Sequence, residues 1–120
     1  MGENDSAISF TQHDERPLLA ETLPALAAEL RQLLEEHGEQ ELASQVPALA
    51  IVERCRCGDD FCGTFYTKPK PDGGYGPGHR NVRLMPSQGM LILDVVAGRI
   101  ACVEVLDRKD VRQKLDEVFP

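Results

Sequence analysis

The sequence contains no tryptophan and has few other aromatic residues, with only four phenylalanines and two tyrosines among its 120 residues. Because large rings are scarce, we expect an aliphatic core built mainly from leucine, isoleucine and valine. A chain of this length is enough for one domain and too short for two comfortable ones. A hydrophobic content of 42% and a charged content of 28% are typical of a soluble globular protein.

Long hydrophobic runs are also absent. The longest ones, residues 46–52 and 89–98, are far shorter than the roughly 20 residues that cross a bilayer. The first 16 residues carry acids where a signal peptide needs lysine or arginine, and no apolar stretch follows them. We therefore expect a cytoplasmic protein without a membrane partner, in which thiols stay reduced and structural disulfides are not formed.

Charge is distributed unevenly along the chain, whose net charge is −7. Residues 1–53 carry 11 acidic and 2 basic side chains, whereas residues 54–83 carry 6 basic and 3 acidic ones. The acidic first part argues against nucleic acid as a partner. It would suit a basic protein partner, as in an immunity or inhibitor protein. The basic region either holds a small anion or an acidic partner, or only supplies solubilising charge.

Hydrophobic spacing predicts helices at both ends of the chain. Leucines at helical spacing in residues 23–34 predict a first helix that is capped by Thr22 and ends at Gly38. A second, short helix follows at about residues 39–45. The final helix is expected to start at Asp107 as N-cap. It would bury the face that carries Val111, Leu115 and Val118.

Between these helices the pattern changes to strands. Turns at residues 58–61 and 97–98 predict two hairpins, and hairpins require antiparallel pairing. A long loop rich in proline and glycine, residues 68–80, separates them. We therefore predict an α+β fold in two layers, with N-terminal helices, an antiparallel sheet of four to five strands and a C-terminal helix. Residues 1–16 are expected to form a mobile N-terminal arm, and residues 17–120 a single domain.

Three of the four cysteines, Cys55, Cys57 and Cys62, fall within eight residues. A turn at residues 58–61 would place Cys57 across from Cys62 and Cys55 across from Thr64, so that all three thiols share one face at the hairpin tip. Three clustered sulfurs suit zinc, which needs a fourth ligand. His79, after the glycine-rich loop, is the best candidate for that ligand, so the predicted zinc site is Cys55, Cys57, Cys62 and His79.

Other interpretations of the cysteines stay open. The three thiols could form a redox site, or they could be reduced side chains packed under a helix without a ligand. Cys102 is a second candidate for the fourth zinc ligand. It is expected to lie across from Leu93 in the second hairpin, however, where a cysteine usually acts as a small buried hydrophobe.

No serine or cysteine has a base that the sequence places beside it. We therefore predict no catalytic residues and favour a binding protein, acting on a protein partner as a monomer or homodimer, over an enzyme. A cysteine-based redox protein, or an enzyme that uses a reactive cysteine, is the alternative.

The stretch from "RCRCGDDFC" through "YGPGHRNV" to "GMLILDVVAGRIACVEVLD" covers about half of the chain. It resembles a family of small bacterial hypothetical proteins with a cysteine-containing hairpin and a second apolar hairpin. The resemblance implies a small cytosolic bacterial protein and carries over no catalytic residue.

Overall fold

The computed structural model describes residues 16–120. The helices are α1 (Leu19–Thr22), α2 (Pro24–Glu36), α3 (Gln40–Gln45) and α4 (Lys109–Val118), with a 3-10 turn at Val46–Ala48. The strands are β1 (Glu53–Arg54), β2 (Phe65–Tyr66), β3 (His79–Leu84), β4 (Met90–Val96) and β5 (Arg99–Leu106). The predicted arm lies outside the described residues except for Arg16, so the division into an arm and one domain stays a prediction.

All five strands form one antiparallel sheet in the order β1-β2-β5-β4-β3. The predicted α+β fold is therefore confirmed, with β5 as the central strand. One face of the sheet, the inner face, joins the helices in a core that is almost entirely aliphatic. The sheet contributes to it Phe65, Val82, Leu84, Leu91, Leu93, Val95, Ile100, Val103 and Val105. No helix within residues 16–120 combines the length and apolarity that a membrane span needs.

A β-bulge at Ala101 decides which residues of β5 face the core. Beyond the bulge Asp94 pairs with Cys102 and Leu93 pairs with Val103, so the register is shifted by one residue from that next to the turn. The predicted pairing of Cys102 with Leu93 was therefore wrong. The extra residue turns Cys102 onto the opposite, outer face of the sheet, because side chains alternate between faces along a strand.

Two predicted helix starts were also wrong, although the helices themselves exist. Thr22 ends α1, and α2 begins at Pro24 with Leu23 in the capping position. Proline fits the first helical position because the N–H it lacks would have no partner there. At the other end of the chain Asp107 adopts a left-handed backbone conformation with φ of 61°, and Arg108 precedes the first residue of α4.

Two glycines of the sheet have positive φ angles but different surroundings. Gly89 has φ of +70°, and a Cβ atom there would lie 2.6 Å from the carbonyl oxygen of Leu106. Gly98 in the β4–β5 turn has φ of +80° and nothing within 4 Å of such an atom. Gly89 therefore serves both the backbone conformation and the close approach of the neighbouring strand.

We expect Gly98→Ala to lower the free energy of unfolding by about 1–2 kcal/mol, the cost of a left-handed alanine. Gly89→Ala should lose a further ~1–3 kcal/mol because the backbone must also move away from the new methyl group. Urea unfolding of both variants measures the difference. Equal losses would show that the contact with Leu106 is not tight.

Candidate functional site

The hairpin that carries the cysteine cluster (Cys55, Cys57 and Cys62) has the predicted register. Arg54 pairs with Phe65, and the N–H of Cys55 donates to the carbonyl oxygen of Thr64 at 2.9 Å. Each strand of this hairpin has only two residues. The strands are therefore shorter than the sequence pattern predicted. The second half of the hairpin is held by β5, because Cys62 forms an isolated bridge with Leu106.

The three thiols of the cysteine cluster come together at the tip of this hairpin. Their Sγ atoms all lie within 4.8 Å of one another. Cys62 is buried, Cys55 is half-buried and Cys57 is exposed, so the cluster reaches from the sheet to the solvent. No further histidine, cysteine or carboxylate within residues 16–120 joins this group.

The two candidates for a fourth ligand lie elsewhere. His79 is on β3, at the opposite edge of the sheet from β1, and its Nε2 atom is 2.8 Å from Oδ1 of Asp94. Cys102 lies on the central strand across from Asp94. The structure thus brings together three of the four residues of the predicted zinc site and places His79 in a different cluster.

Hydrogen bonds within the cysteine cluster divide the thiols into donors and an acceptor. Burial opposes ionisation of Cys62, but hydrogen bonds from the hydroxyl and N–H of Thr64 and from Cys57 and Cys55 outweigh it and lower the pKa of Cys62. Burial and the hydrogen bonds that its thiol donates raise the pKa of Cys55 to about 11. The first negative charge therefore settles on Cys62, where three side-chain donors converge.

The neighbouring arginines support the hairpin from its other face. Arg54 is buried on the inner face and forms an ion pair with Asp116 of α4. Arg112 of α4 donates from Nη1 to the carbonyl oxygens of Asp59 and Cys62. These bonds reach backbone oxygens rather than sulfur atoms, so they fix the position of the turn without engaging the thiols.

A second cluster, which the sequence did not reveal, lies on the outer face of the sheet. Asp94 is only 5% exposed. Its carboxylate accepts hydrogen bonds from Asn81 at 2.7 Å and from His79 at 2.8 Å, which replace the water that burial removes. The ring of Tyr75, in the glycine-rich loop, packs on the ring of His79 with 4.8 Å between the centroids. Three strands and the loop therefore enclose one buried carboxylate.

Glu104 on β5 completes this carboxylate cluster and shares a proton with Asp94. Burial opposes ionisation of Asp94, but hydrogen bonds from Glu104, His79 and Asn81 lower its pKa. The hydrogen bond that Glu104 donates to Asp94, together with burial, raises the pKa of Glu104 to about 7. Two carboxyl groups in contact titrate as a pair, so below about pH 7 the pair retains one proton, on Glu104, beside the carboxylate of Asp94.

One signal in the sequence could have pointed to this cluster. Asp94 interrupts the apolar run of β4, and a buried carboxylate needs hydrogen-bond donors from its neighbours. Its partners could not be named from the sequence, because the bulge at Ala101 decides which side chains of β5 reach it.

Comparison with known proteins does not assign the chain to a family, since no protein-family model, curated protein or solved structure matches it. The resemblance to small bacterial hypothetical proteins therefore stays an expectation from the sequence.

We expect the proton shared by Glu104 and Asp94 to make stability depend on pH. The pKa of Glu104 is raised in the folded state, from 4.5 to about 7, so its contribution is complete below about pH 4.5 and is lost as pH rises towards 7. Glu104→Gln keeps an N–H donor for Asp94 and does not titrate. Relative to this variant, the wild-type protein should lose about 1–2 kcal/mol between pH 4.5 and 8, allowing for the partial exposure of Glu104.

Urea unfolding at several pH values measures this difference. Glu117→Gln, which changes an exposed acid on α4, is the matched control and should follow the wild-type curve. Parallel curves for the wild type and Glu104→Gln would contradict the shared proton.

Proposed function

We propose that this chain is a small binding protein whose cysteine cluster binds one thiophilic metal ion, such as zinc. The observation that carries the proposal is the group of three Sγ atoms within 4.8 Å of one another. Thiolates are the ligands that zinc prefers in structural sites, and the ion's role here would be to fix the hairpin rather than to activate water.

Because the strands of this hairpin are short, a bound metal ion would stabilise it. β1 and β2 are two residues long, so few regular ladder bonds connect the two arms near the tip. A metal ion bound by Cys55 and Cys57 from one arm and Cys62 from the other would link them directly. Its binding free energy would then appear as stability of the folded protein.

Exposed apolar side chains support a protein partner for the same end of the sheet. Phe61 is 49% exposed, Met90 37% and Met85 78%. Phe61 precedes Cys62, and both Met90 and Cys62 pair with Leu106, so Phe61 and Met90 lie at the same end of the sheet as the cysteine cluster. Aromatic residues and methionine are enriched at protein interfaces. A metal that orders the hairpin would also order this surface.

We expect protein purified without a histidine tag to contain about one equivalent of zinc and to lose thermal stability when a chelator removes it. Cys57→Ser should abolish both properties. Because Cys57 is exposed, this substitution removes a ligand and leaves the core intact. Metal analysis and thermal unfolding with and without the chelator provide the measurement.

The fourth cysteine supplies a matched control. Cys102 is buried and lies outside the cysteine cluster, so Cys102→Ala should keep the zinc even if it lowers stability. Retention of zinc by Cys57→Ser, or failure of the wild-type protein to bind any thiophilic ion, would count against the proposal.

A reactive thiol is the second candidate function, favoured by the lowered pKa of Cys62 beside the exposed thiol of Cys57. Such a pair could be oxidised to a disulfide, losing two protons and passing two electrons to an oxidant such as a peroxide, which would be reduced to water. A lowered pKa increases the fraction of a thiol that is present as the reactive thiolate.

Thiolate absorbance at 240 nm, followed against pH in metal-free protein, tests this candidate. One thiol should ionise below the ordinary cysteine value, and another should ionise only near pH 11. Cys62→Ser should remove the early step, and Cys102→Ala should leave it in place. A titration with every step at or above the ordinary value would rule out an activated cysteine.

A further inference from the structure

The cysteine cluster offers three donors, and the part of the chain that the structure describes does not add a fourth. Within residues 16–120 no other histidine, cysteine or carboxylate has an atom in the group. His79 is held by Asp94, and Cys102 faces the same carboxylate on the central strand. The carboxylates of Asp59 and Asp60 belong to the adjoining turn but stay outside the group.

Backbone hydrogen bonds fix the positions of the cysteines, which prevents the recruitment of a fourth donor from elsewhere in the sheet. Cys55 is bonded through its N–H to Thr64, and Cys62 is bonded to Asp59 and bridged to Leu106. Recruiting His79 would break its contact with Asp94 and require movement across three strands of the sheet. Zinc in structural protein sites almost always takes four ligands in a tetrahedron, so it would have to complete its shell with water here.

We propose that the cysteine cluster is selective for a thiophilic ion that is satisfied by three sulfur ligands, namely copper(I) or trivalent arsenic, over zinc. The inference rests on the proposed metal-binding function and names the class of ion that the site takes. Soft thiolate ligands favour soft ions, and the number and geometry of donors then decide among them.

Charge places trivalent arsenic first within this class. Arsenous acid reacts with three thiols to give a neutral tris-thiolate and three water molecules: three As–S bonds form, three As–O bonds break, and each thiol proton leaves with a hydroxide. No electrons are transferred and the net charge does not change. Zinc bound by three thiolates leaves a net charge of −1, and copper(I) leaves −2. Because Cys62 is buried and Cys55 half-buried, additional charge is costly at this site, which ranks arsenic above copper(I). The preference for copper(I) over zinc rests on the number of sulfur donors alone.

The test uses the full, reduced chain with arsenite, copper(I) and zinc as separate probes. X-ray absorption counts the sulfur neighbours of each bound ion, and competition between ions ranks their affinities. We expect one arsenic per chain with three sulfur neighbours and displacement of zinc by arsenite or copper(I). Cys57→Ser should weaken arsenite binding at least about tenfold, because one of three bonds is lost, and Cys102→Ala should not change it.

The outcomes separate this inference from the function on which it rests. Zinc bound by four protein ligands and not displaced by either probe would overturn the selectivity while the metal-binding function stands. Failure of all three ions to bind would overturn both. Displacement of zinc by copper(I) alone would support the three-coordinate class and overturn the preference for arsenic.

Discussion

The bulge at Ala101 in the central strand is the constraint on which the carboxylate cluster and the core-facing residues of β5 depend. If the register next to the turn continued along β5, Cys102 and Glu104 would share the inner face with Ile100, and a carboxyl group would enter an aliphatic core. The extra residue instead returns Val103 and Val105 to that core and leaves Glu104 on the outer face. The free energy of burying those valines against the helices favours the bulged register over the regular one.

The same bulge anchors the start of the glycine-rich loop. The carbonyl oxygen of Ala101 accepts hydrogen bonds from the N–H groups of Thr67 at 2.9 Å and Lys68 at 3.3 Å. The loop then passes over the outer face, where Tyr75 packs on His79. The bulge therefore fixes the start of the glycine-rich loop by hydrogen bonds, and the outer face of the sheet supports the rest of it.

Much of the fold followed from the sequence, because local patterns determine it. Leucine spacing predicted α2, and the Ala97-Gly98 turn predicted the β4–β5 hairpin. The cysteine hairpin was predicted in the correct register at Cys55 and Thr64, because its short turn limits the possible pairings. The expected pairing of Cys57 with Cys62 is not among its regular pairs, and Cys62 instead bridges to Leu106. The two helix caps failed for a different reason. Thr22 and Asp107 have the side chains of good N-caps, but proline and a left-handed residue set the backbone geometry instead.

The carboxylate cluster was beyond such reasoning because its members come from three strands and a loop. In retrospect β5 carried one clue, since Ile100 and Val103 are three residues apart while Val103 and Val105 are two apart. A regular strand, in which side chains alternate between the two faces, could not place all three of these residues on the inner face. The pattern implies an inserted residue, but it does not identify the residue as Ala101 or name Asp94 as the neighbour of Cys102.

The edges of the sheet limit its growth. β3, at one edge, has six residues and carries Arg80 and Arg83, while β1, at the other edge, offers only two residues. Charged side chains along an edge and very short edge strands both oppose the addition of another strand. Arg80 is also tied to Glu39, just before α3, through two hydrogen bonds, which keeps part of this edge engaged with its own chain. The sheet therefore resists the edge-to-edge polymerisation by which β-rich chains aggregate.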